Sequence, residues 1–129
     1  MDLIIDLDEN NARRALSALS GLGYRPRAPV AMDGFADKNA RSQWVREKGL
    51  TVFSLHSTKH AATEVDLFVE LPLDFDRAYR AALTLDVGAG VPATFLSYDD
   101  LLALKKKAGR PQDLADVDRL QANREANEE

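Results

Sequence analysis

Acidic and apolar side chains alternate in two short segments. The acidic side chains of these segments are the best candidates in the chain for a functional site. In segment 64–70 (Glu-Val-Asp-Leu-Phe-Val-Glu) the valines and the leucine share one face of a predicted strand. Asp66 lies on the opposite face. Segment 2–7 (Asp-Leu-Ile-Ile-Asp-Leu) repeats the arrangement, with Asp2 and Asp6 opposite the leucines. If the two strands are neighbours in one sheet, Asp2 and Asp66 should lie close together.

Two facing carboxylates favour one kind of ligand. They repel each other when both are ionised, and a bound cation relieves the repulsion. Magnesium prefers hard oxygen ligands of this type. We therefore predict that Asp2 and Asp66 bind magnesium or manganese weakly, in the millimolar range. Glu70, farther along the same face, should matter much less. The alternative is that this face is only a solvated acidic surface.

The bulk properties of the chain narrow the class of protein. Its 129 residues suit a single domain, which we place at 1–121, with a polar tail at 122–129. No apolar run is long enough for a membrane span, and the absence of cysteine excludes disulfides and thiolate metal sites. A net charge of −4 argues against broad nucleic-acid binding. We expect a cytoplasmic protein that does not enter membranes.

Apolar periodicity and capping residues predict an α/β fold, a mixed sheet of about five strands with helices packed on one face. Strands are predicted at 2–7, 50–55, 63–70, 84–87 and 91–96. The short connection between the second and third makes them an antiparallel hairpin, and a glycine turn makes the last two another. Helices are predicted after Asp8, after Asp33 or Asp37, after Asp74, from Ser97 to Gly109, and from Pro111.

Several segments together resemble one known family. The acidic strand 64–69 is followed by 97–105 (Ser-Tyr-Asp-Asp-Leu-Leu-Ala-Leu-Lys) and 108–116 (Ala-Gly-Arg-Pro-Gln-Asp-Leu-Ala-Asp). These segments resemble the nucleotidyltransferase-like domains of the abortive-infection and toxin–antitoxin group. The opening strand 2–5, with its helix ending Leu-Gly-Tyr, is similar to that family's second core strand and following helix. The resemblance covers roughly residues 2–120.

The resemblance implies magnesium-dependent transfer of a nucleoside monophosphate from a nucleoside triphosphate to a hydroxyl acceptor. Members place a glycine pair at a helix start, an Asp-x-Asp pair on the next strand and a third carboxylate on a neighbouring strand. Asp2 matches the second acid of the pair and Asp66 the third carboxylate, which implies catalytic and metal-binding roles for both. Lys105 and Arg110 are implied to contact the nucleotide phosphates.

The chain departs from this pattern at its N-terminus. The first acid and the glycine motif would lie before Met1, so we expect an N-terminally truncated fold that is inactive without upstream residues. The spacing of Asp6 and Asp8 suits an acidic pair, but Asp8 is better placed to cap a helix. The alternative function is a non-catalytic protein-binding component of a toxin–antitoxin type module. We expect a protein partner or a homodimer over an apolar patch or unpaired edge near residues 2–7.

Some candidate residues also have a purely structural explanation. Lys105 and its two neighbouring lysines fall in the last turn of a predicted helix, where cations offset the helix dipole. We expect Asp113 to form an ion pair with Arg110 or a nearby lysine rather than to bind a ligand. His56 and His60 lack the further ligands that zinc requires.

Overall fold

The α/β class predicted from the sequence is confirmed. The structure is a computed structural model that describes residues 1–128. Within these residues it contains five α-helices, a four-stranded mixed sheet and a separate two-stranded sheet. The chain divides into two compact units, a first unit of Met1–Phe75 and a second unit that begins at Asp76. The prediction of one domain over 1–121 stays a prediction.

The first unit contains the four-stranded sheet. Its strands are β1 (Asp2–Leu3), β2 (Arg25–Pro26), β3 (Val52–His56) and β4 (Val65–Phe68). Its helices are α1 (Glu9–Gly21), a 3-10 helix (Met32–Ala36) and α2 (Lys38–Lys48). The strand order is β1-β4-β3-β2, with β1 parallel to β4 and the other neighbours antiparallel. The predicted hairpin of the second and third long strands is confirmed as β3 and β4.

Capping residues define where the helices of the first unit begin and end. The carboxylate of Asp8 accepts a hydrogen bond from the backbone N–H of Asn11 at 3.3 Å, so Asp8 is the N-cap of α1. Asp37 caps α2 in the same way through the N–H of Asn39 at 2.8 Å. Gly49 ends α2 with φ 62°, a conformation that favours glycine. The predicted role of Asp8 as a helix cap is therefore confirmed.

The core lies on one face of the sheet. The strand residues that point to it are all at most 1% exposed: Phe53, Leu55, Val65 and Leu67. Buried residues of α1, the 3-10 helix and α2 cover them: Ala12, Leu16, Phe35 and Trp44. The rings of Phe35 and Trp44 stack on Phe53 with centroid distances of 5.3 and 5.2 Å. The predicted placement of Asp66 opposite this face is confirmed, since Val65 and Leu67 are buried and Asp66 is half-buried.

The second unit combines a hairpin with two longer helices. Its elements are α3 (Phe75–Ala81, which begins at the boundary), β5 (Leu83–Asp86), β6 (Pro92–Phe95), α4 (Tyr98–Ala108) and α5 (Pro111–Glu128). The predicted glycine-turn hairpin is confirmed as β5 and β6. The predicted helix start at Ser97 is confirmed, because the Ser97 hydroxyl accepts from the backbone N–H of Asp100 at 3.2 Å. The Asp100 side chain meets the Ser97 hydroxyl at 3.1 Å, which is not the backbone bond that would complete a capping box.

Three predictions differ from the structure. The strands form two sheets rather than one of about five strands. The strand predicted at 2–7 is assigned only at Asp2–Leu3, although Ile5 and Leu7 still pack against the core. The polar segment 122–128, predicted as a tail, continues α5 as helix. Local polarity decides neither sheet pairing nor helix length, because both depend on contacts with distant residues.

The apolar patch expected near residues 2–7 is not found there. Leu3, Ile5 and Leu7 are half-buried against the core. The apolar side chains of this segment therefore pack within the first unit and do not form an exposed patch. The expected sheet edge is present, since β1 is an outermost strand of the order β1-β4-β3-β2. Across the residues that the structure describes, no helix is both long and apolar enough to cross a bilayer.

Candidate functional site

The pairing of β1 with β4 brings the two predicted site acids together. The strands run parallel with Asp2 opposite Asp66 and Leu3 opposite Leu67. The backbone N–H of Asp66 donates to the carbonyl oxygen of Met1 at 2.9 Å, which fixes this register. Opposite residues of paired strands point to the same face. Asp2 and Asp66 therefore lie side by side on the face opposite the core, as the sequence predicted.

Asp66 has a carboxylate oxygen without a partner. Its Oδ1 is buried and accepts no hydrogen bond from the residues that the structure describes. A buried polar atom left unsatisfied costs about 1–3 kcal/mol, and more when the group is charged. A cation at this oxygen would offset that cost. Asp2, at the sheet edge, is exposed and accessible to solvent.

The strand on the other side of β4 adds a hydroxyl to the row. Ser54 on β3 lies opposite Asp66, so Asp2, Asp66 and Ser54 follow one another across three strands. Ser54 is half-buried between the buried residues Phe53 and Leu55. Ser54 is not among the site residues predicted from the sequence. Its signal was available, because a polar residue between two buried apolar ones lies on the same face as the acids.

An arginine pairs with Glu64, which lies outside this row, two residues before Asp66. Arg27 forms an ion pair with Glu64, and its backbone N–H donates to the carbonyl oxygen of Ser54 at 3.0 Å. Glu64 is therefore already paired, whereas the buried oxygen of Asp66 is not. Glu70 is exposed and lies beyond the end of β4. Asp2 and Asp66 remain the acids of this face best placed to share a ligand.

The donor set fits magnesium better than zinc. Over residues 1–128 no group of three or more His, Cys, Asp or Glu side chains is arranged to hold a metal ion. Magnesium commonly binds through one or two carboxylates and keeps several waters. Asp2 and Asp66 supply that number of carboxylates. An unpartnered oxygen of Asp66 and an exposed carboxylate at Asp2 are compatible with such a hydrated ion.

The predicted phosphate ligands lie in the second unit and are paired with acids. Lys105 Nζ is 3.1 Å from Asp116 Oδ2 and 3.6 Å from Asp113 Oδ1. Arg110 Nε is 2.7 Å from Asp113 Oδ2. The predicted ion pair of Asp113 is thus confirmed. A phosphate would compete with these carboxylates for Lys105 and Arg110, and the nucleotide-binding role of the two cations stays a prediction.

These ion pairs keep the acids of α5 charged. The hydrogen bond from Arg110 holds the pKa of Asp113 below its usual range, although burial acts in the opposite direction. Hydrogen bonds from Lys105 and Arg119 likewise lower the pKa of Asp116. This cluster therefore has a clear structural role in joining α4 to α5.

Comparison with known proteins identifies no family for this chain. Neither a scan of protein-family models nor a search of curated proteins finds a match. The residues themselves and the geometry of β1 and β4 are therefore the basis on which a function is inferred.

Proposed function

We propose that this chain is a nucleotidyltransferase-like domain in which Asp2 and Asp66 hold a magnesium ion. The reaction class is transfer of a nucleoside monophosphate from a nucleoside triphosphate to a hydroxyl acceptor. The observation that supports the proposal is the register of β1 and β4, which places the two acids side by side. The unpartnered Oδ1 of Asp66 is the atom that most needs a cation.

The two acids would have different roles in binding the metal ion. Asp66 belongs to a strand paired on both sides, so its backbone is fixed by the sheet. Asp2 is exposed at the edge, where a hydrated ion and a triphosphate can reach it from solvent. A bound magnesium would neutralise phosphate charge and help to activate the acceptor hydroxyl. The carboxylate oxygens of Asp2 and Asp66 would be the ligands that hold the magnesium ion.

The number of acids limits the activity expected of these 129 residues. The family that the chain resembles uses three carboxylates and a glycine pair, and the sequence supplies matches to two of the acids. Two carboxylates can bind one metal ion more readily than they can bind a pair of metal ions. We therefore propose weak metal binding and negligible turnover for this chain alone. Lys105 and Arg110 keep the proposed role of phosphate ligands, at the cost of exchanging their present carboxylate partners. We also propose that the chain is cytoplasmic.

A manganese titration followed by NMR tests the metal site. Paramagnetic broadening should centre on residues 2 and 66. Asp66→Asn and Asp2→Asn should each weaken binding by about tenfold or more, because each removes a charged ligand. Glu70→Gln is the matched control on the same face and should change little. Broadening that scatters over other acids and is unaffected by Asp66→Asn would contradict the proposal.

A transfer assay tests the reaction class. Incubation with magnesium and labelled nucleoside triphosphates should label neither the protein nor added RNA to a detectable extent. Robust labelling that disappears in Asp66→Ala would show that two acids suffice and would make the chain an active enzyme. Robust labelling that persists in Asp66→Ala would place the reaction outside this site.

The second candidate function is a non-catalytic, protein-binding component of a toxin–antitoxin type module. The observation that favours it is a set of exposed apolar side chains in the second unit, on β5 and β6. A chain that binds neither manganese nor nucleotide but forms a stable complex with a protein would support this alternative.

A further inference from the structure

An arginine lies on the same side of the sheet as the two site acids. Val65 is 1% exposed in the core, so its neighbours in the chain, Glu64 and Asp66, share the opposite side. Arg27 follows β2 and stays paired with β3, since its backbone N–H donates to the carbonyl oxygen of Ser54 at 3.0 Å. Its guanidinium extends across β3 to Oε1 of Glu64. A positive charge is therefore held over the sheet, one same-side position away from Asp66.

The ion pair of Arg27 with Glu64 can be exchanged for another anion. The two side chains are 54% and 49% exposed, and exposed pairs contribute little to stability because water screens them. Among the residues that the structure describes, the contact joins one nitrogen, Nη2, to one carboxylate oxygen. A guanidinium can instead donate two parallel hydrogen bonds to a phosphate. A phosphate group would therefore compete with Glu64 for Arg27.

Other cations are less available to a ligand of the site acids. Arg25, on β2, donates from Nη1 to the carbonyl oxygen of Tyr24 at 2.7 Å and to the Ser20 hydroxyl at 3.2 Å. Its guanidinium is thus engaged at the end of α1. The two cations of the second unit that are predicted to contact phosphate pair with Asp113, which is 1% exposed. Arg27 belongs to the first unit, as do both site acids, and its pair is exposed.

We propose that Arg27 binds a phosphate of the nucleoside triphosphate by exchanging Glu64 for it. The inference rests on the proposed function, which places the metal-bound phosphates at Asp2 and Asp66. β2 and β4 are two strand spacings apart, about 10 Å, and the guanidinium already crosses most of that distance to reach Glu64. In the free protein Glu64 holds the arginine over the sheet. In the complex the phosphate takes the place of Glu64.

A titration with inorganic tripolyphosphate in the presence of magnesium tests the exchange. Followed by heteronuclear NMR, it should shift the side-chain Nε–H signal of Arg27. Arg27→Gln should weaken binding by about tenfold or more, because it removes a charged hydrogen-bond donor. Glu64→Gln should strengthen binding by about two- to fivefold, because it removes the competing carboxylate. This gain distinguishes exchange from a purely structural ion pair, and a misfolded variant would not show it.

Two variants are matched controls for these changes. Arg13→Gln removes an arginine from another exposed ion pair, on α1, and should leave the affinity unchanged. Glu70→Gln removes one negative charge from the acidic side of the same strand segment without freeing Arg27, so it should give a smaller gain than Glu64→Gln. Urea unfolding should confirm that all four variants fold.

The proposal fails in any of three outcomes. The unmodified chain would bind no tripolyphosphate up to about 10 mM, Arg27→Gln would bind it as tightly as Arg13→Gln, or Glu64→Gln would gain no more than Glu70→Gln. The manganese titration separates this failure from that of the proposed function. Manganese broadening at residues 2 and 66 without any effect of Arg27→Gln would overturn only the role of Arg27. Tripolyphosphate binding that depends on Arg27 without such broadening would support the role of Arg27 and overturn the metal site.

Discussion

Asp66 in the first unit and Asp113 in the second are both acids set into packed structure, yet their surroundings are opposite. Asp113 is 1% exposed, and both of its oxygens face cations, Arg110 at 2.7 Å and Lys105 at 3.6 Å. Asp66 is half-buried, and its enclosed Oδ1 has no partner among the described residues. Burial therefore does not by itself mark a ligand site. The informative feature is an acid with a buried oxygen that accepts no hydrogen bond from the described residues.

The two acids are also held in place by different interactions. Asp113 belongs to an ion-pair cluster between α4 and α5, so its position depends on charge. Asp66 is positioned by its strand, because its neighbours Val65 and Leu67 are buried in the core. An acid held by ion pairs serves stability, whereas an acid held by the backbone remains available to a ligand. This contrast can be tested by mutation.

The largest expected effect is loss of the core residue beside Asp66. Leu67 is 0% exposed, and Leu67→Ala should lower the free energy of unfolding by about 2–5 kcal/mol, since it leaves a cavity. The matched variant is Leu114→Ala beside Asp113, because Leu114 is 48% exposed and should cost less than about 1 kcal/mol. Urea unfolding measures both. Equal losses would show that Leu67 beside Asp66 contributes no more to core packing than Leu114 beside Asp113.

Neutralising the two acids should have unequal consequences for stability. Asp113→Asn breaks the pairs with Arg110 and Lys105 and should lower Tm by several degrees. Asp66→Asn removes a charge that has an unsatisfied oxygen, so without metal it should change the free energy of unfolding by less than about 1 kcal/mol. Thermal unfolding in the presence of a chelator measures both. A large loss in Asp66→Asn would mean that this acid is structural.

The smallest expected effect is a change in acid sensitivity. The pKa of Asp113 is lowered in the folded state, chiefly by Arg110, so its contribution to stability is fully present above the unfolded pKa of about 3.9. It is lost as the pH falls through the lowered folded pKa. Arg110→Gln should therefore reduce the difference in stability between pH 7 and pH 3, measured by urea unfolding and circular dichroism.

An exposed ion pair in the first unit is the control for this experiment. Arg13 pairs with Glu9 one turn away on α1, and both side chains are more than half exposed. Arg13→Gln should leave the acid dependence nearly unchanged, because exposed pairs contribute little. If Arg110→Gln and Arg13→Gln behaved alike, Asp113 would not be the acid-sensitive group that the structure indicates.

Local signals were sufficient for most elements of the fold. Asp8 and Ser97 were predicted as helix starts, and both cap helices, because an N-cap uses backbone N–H groups two or three residues away. The faces of the strand around Asp66 were also predictable, since alternation in a strand depends on sequence alone. The same logic could have identified Ser54. Side-by-side placement of Asp2 and Asp66 was a conditional prediction, and the parallel pairing of β1 with β4 satisfied it.

The sequence by itself determined the α/β class, the helix caps, the acidic face of β4 and the ion pair of Asp113, because these depend on residues close in the chain or on strong opposite charges. The tertiary structure decided that β5 and β6 form a separate sheet. It also decided that Leu3, Ile5 and Leu7 pack against the core, whereas the large apolar side chains of β5 and β6 are exposed. Finally, it left one oxygen of Asp66 without a hydrogen-bond partner among the described residues. Those features depend on which distant segments meet. An apolar side chain or a carboxylate has the same local pattern whether or not a remote partner covers it, so only the assembled fold distinguishes the two cases.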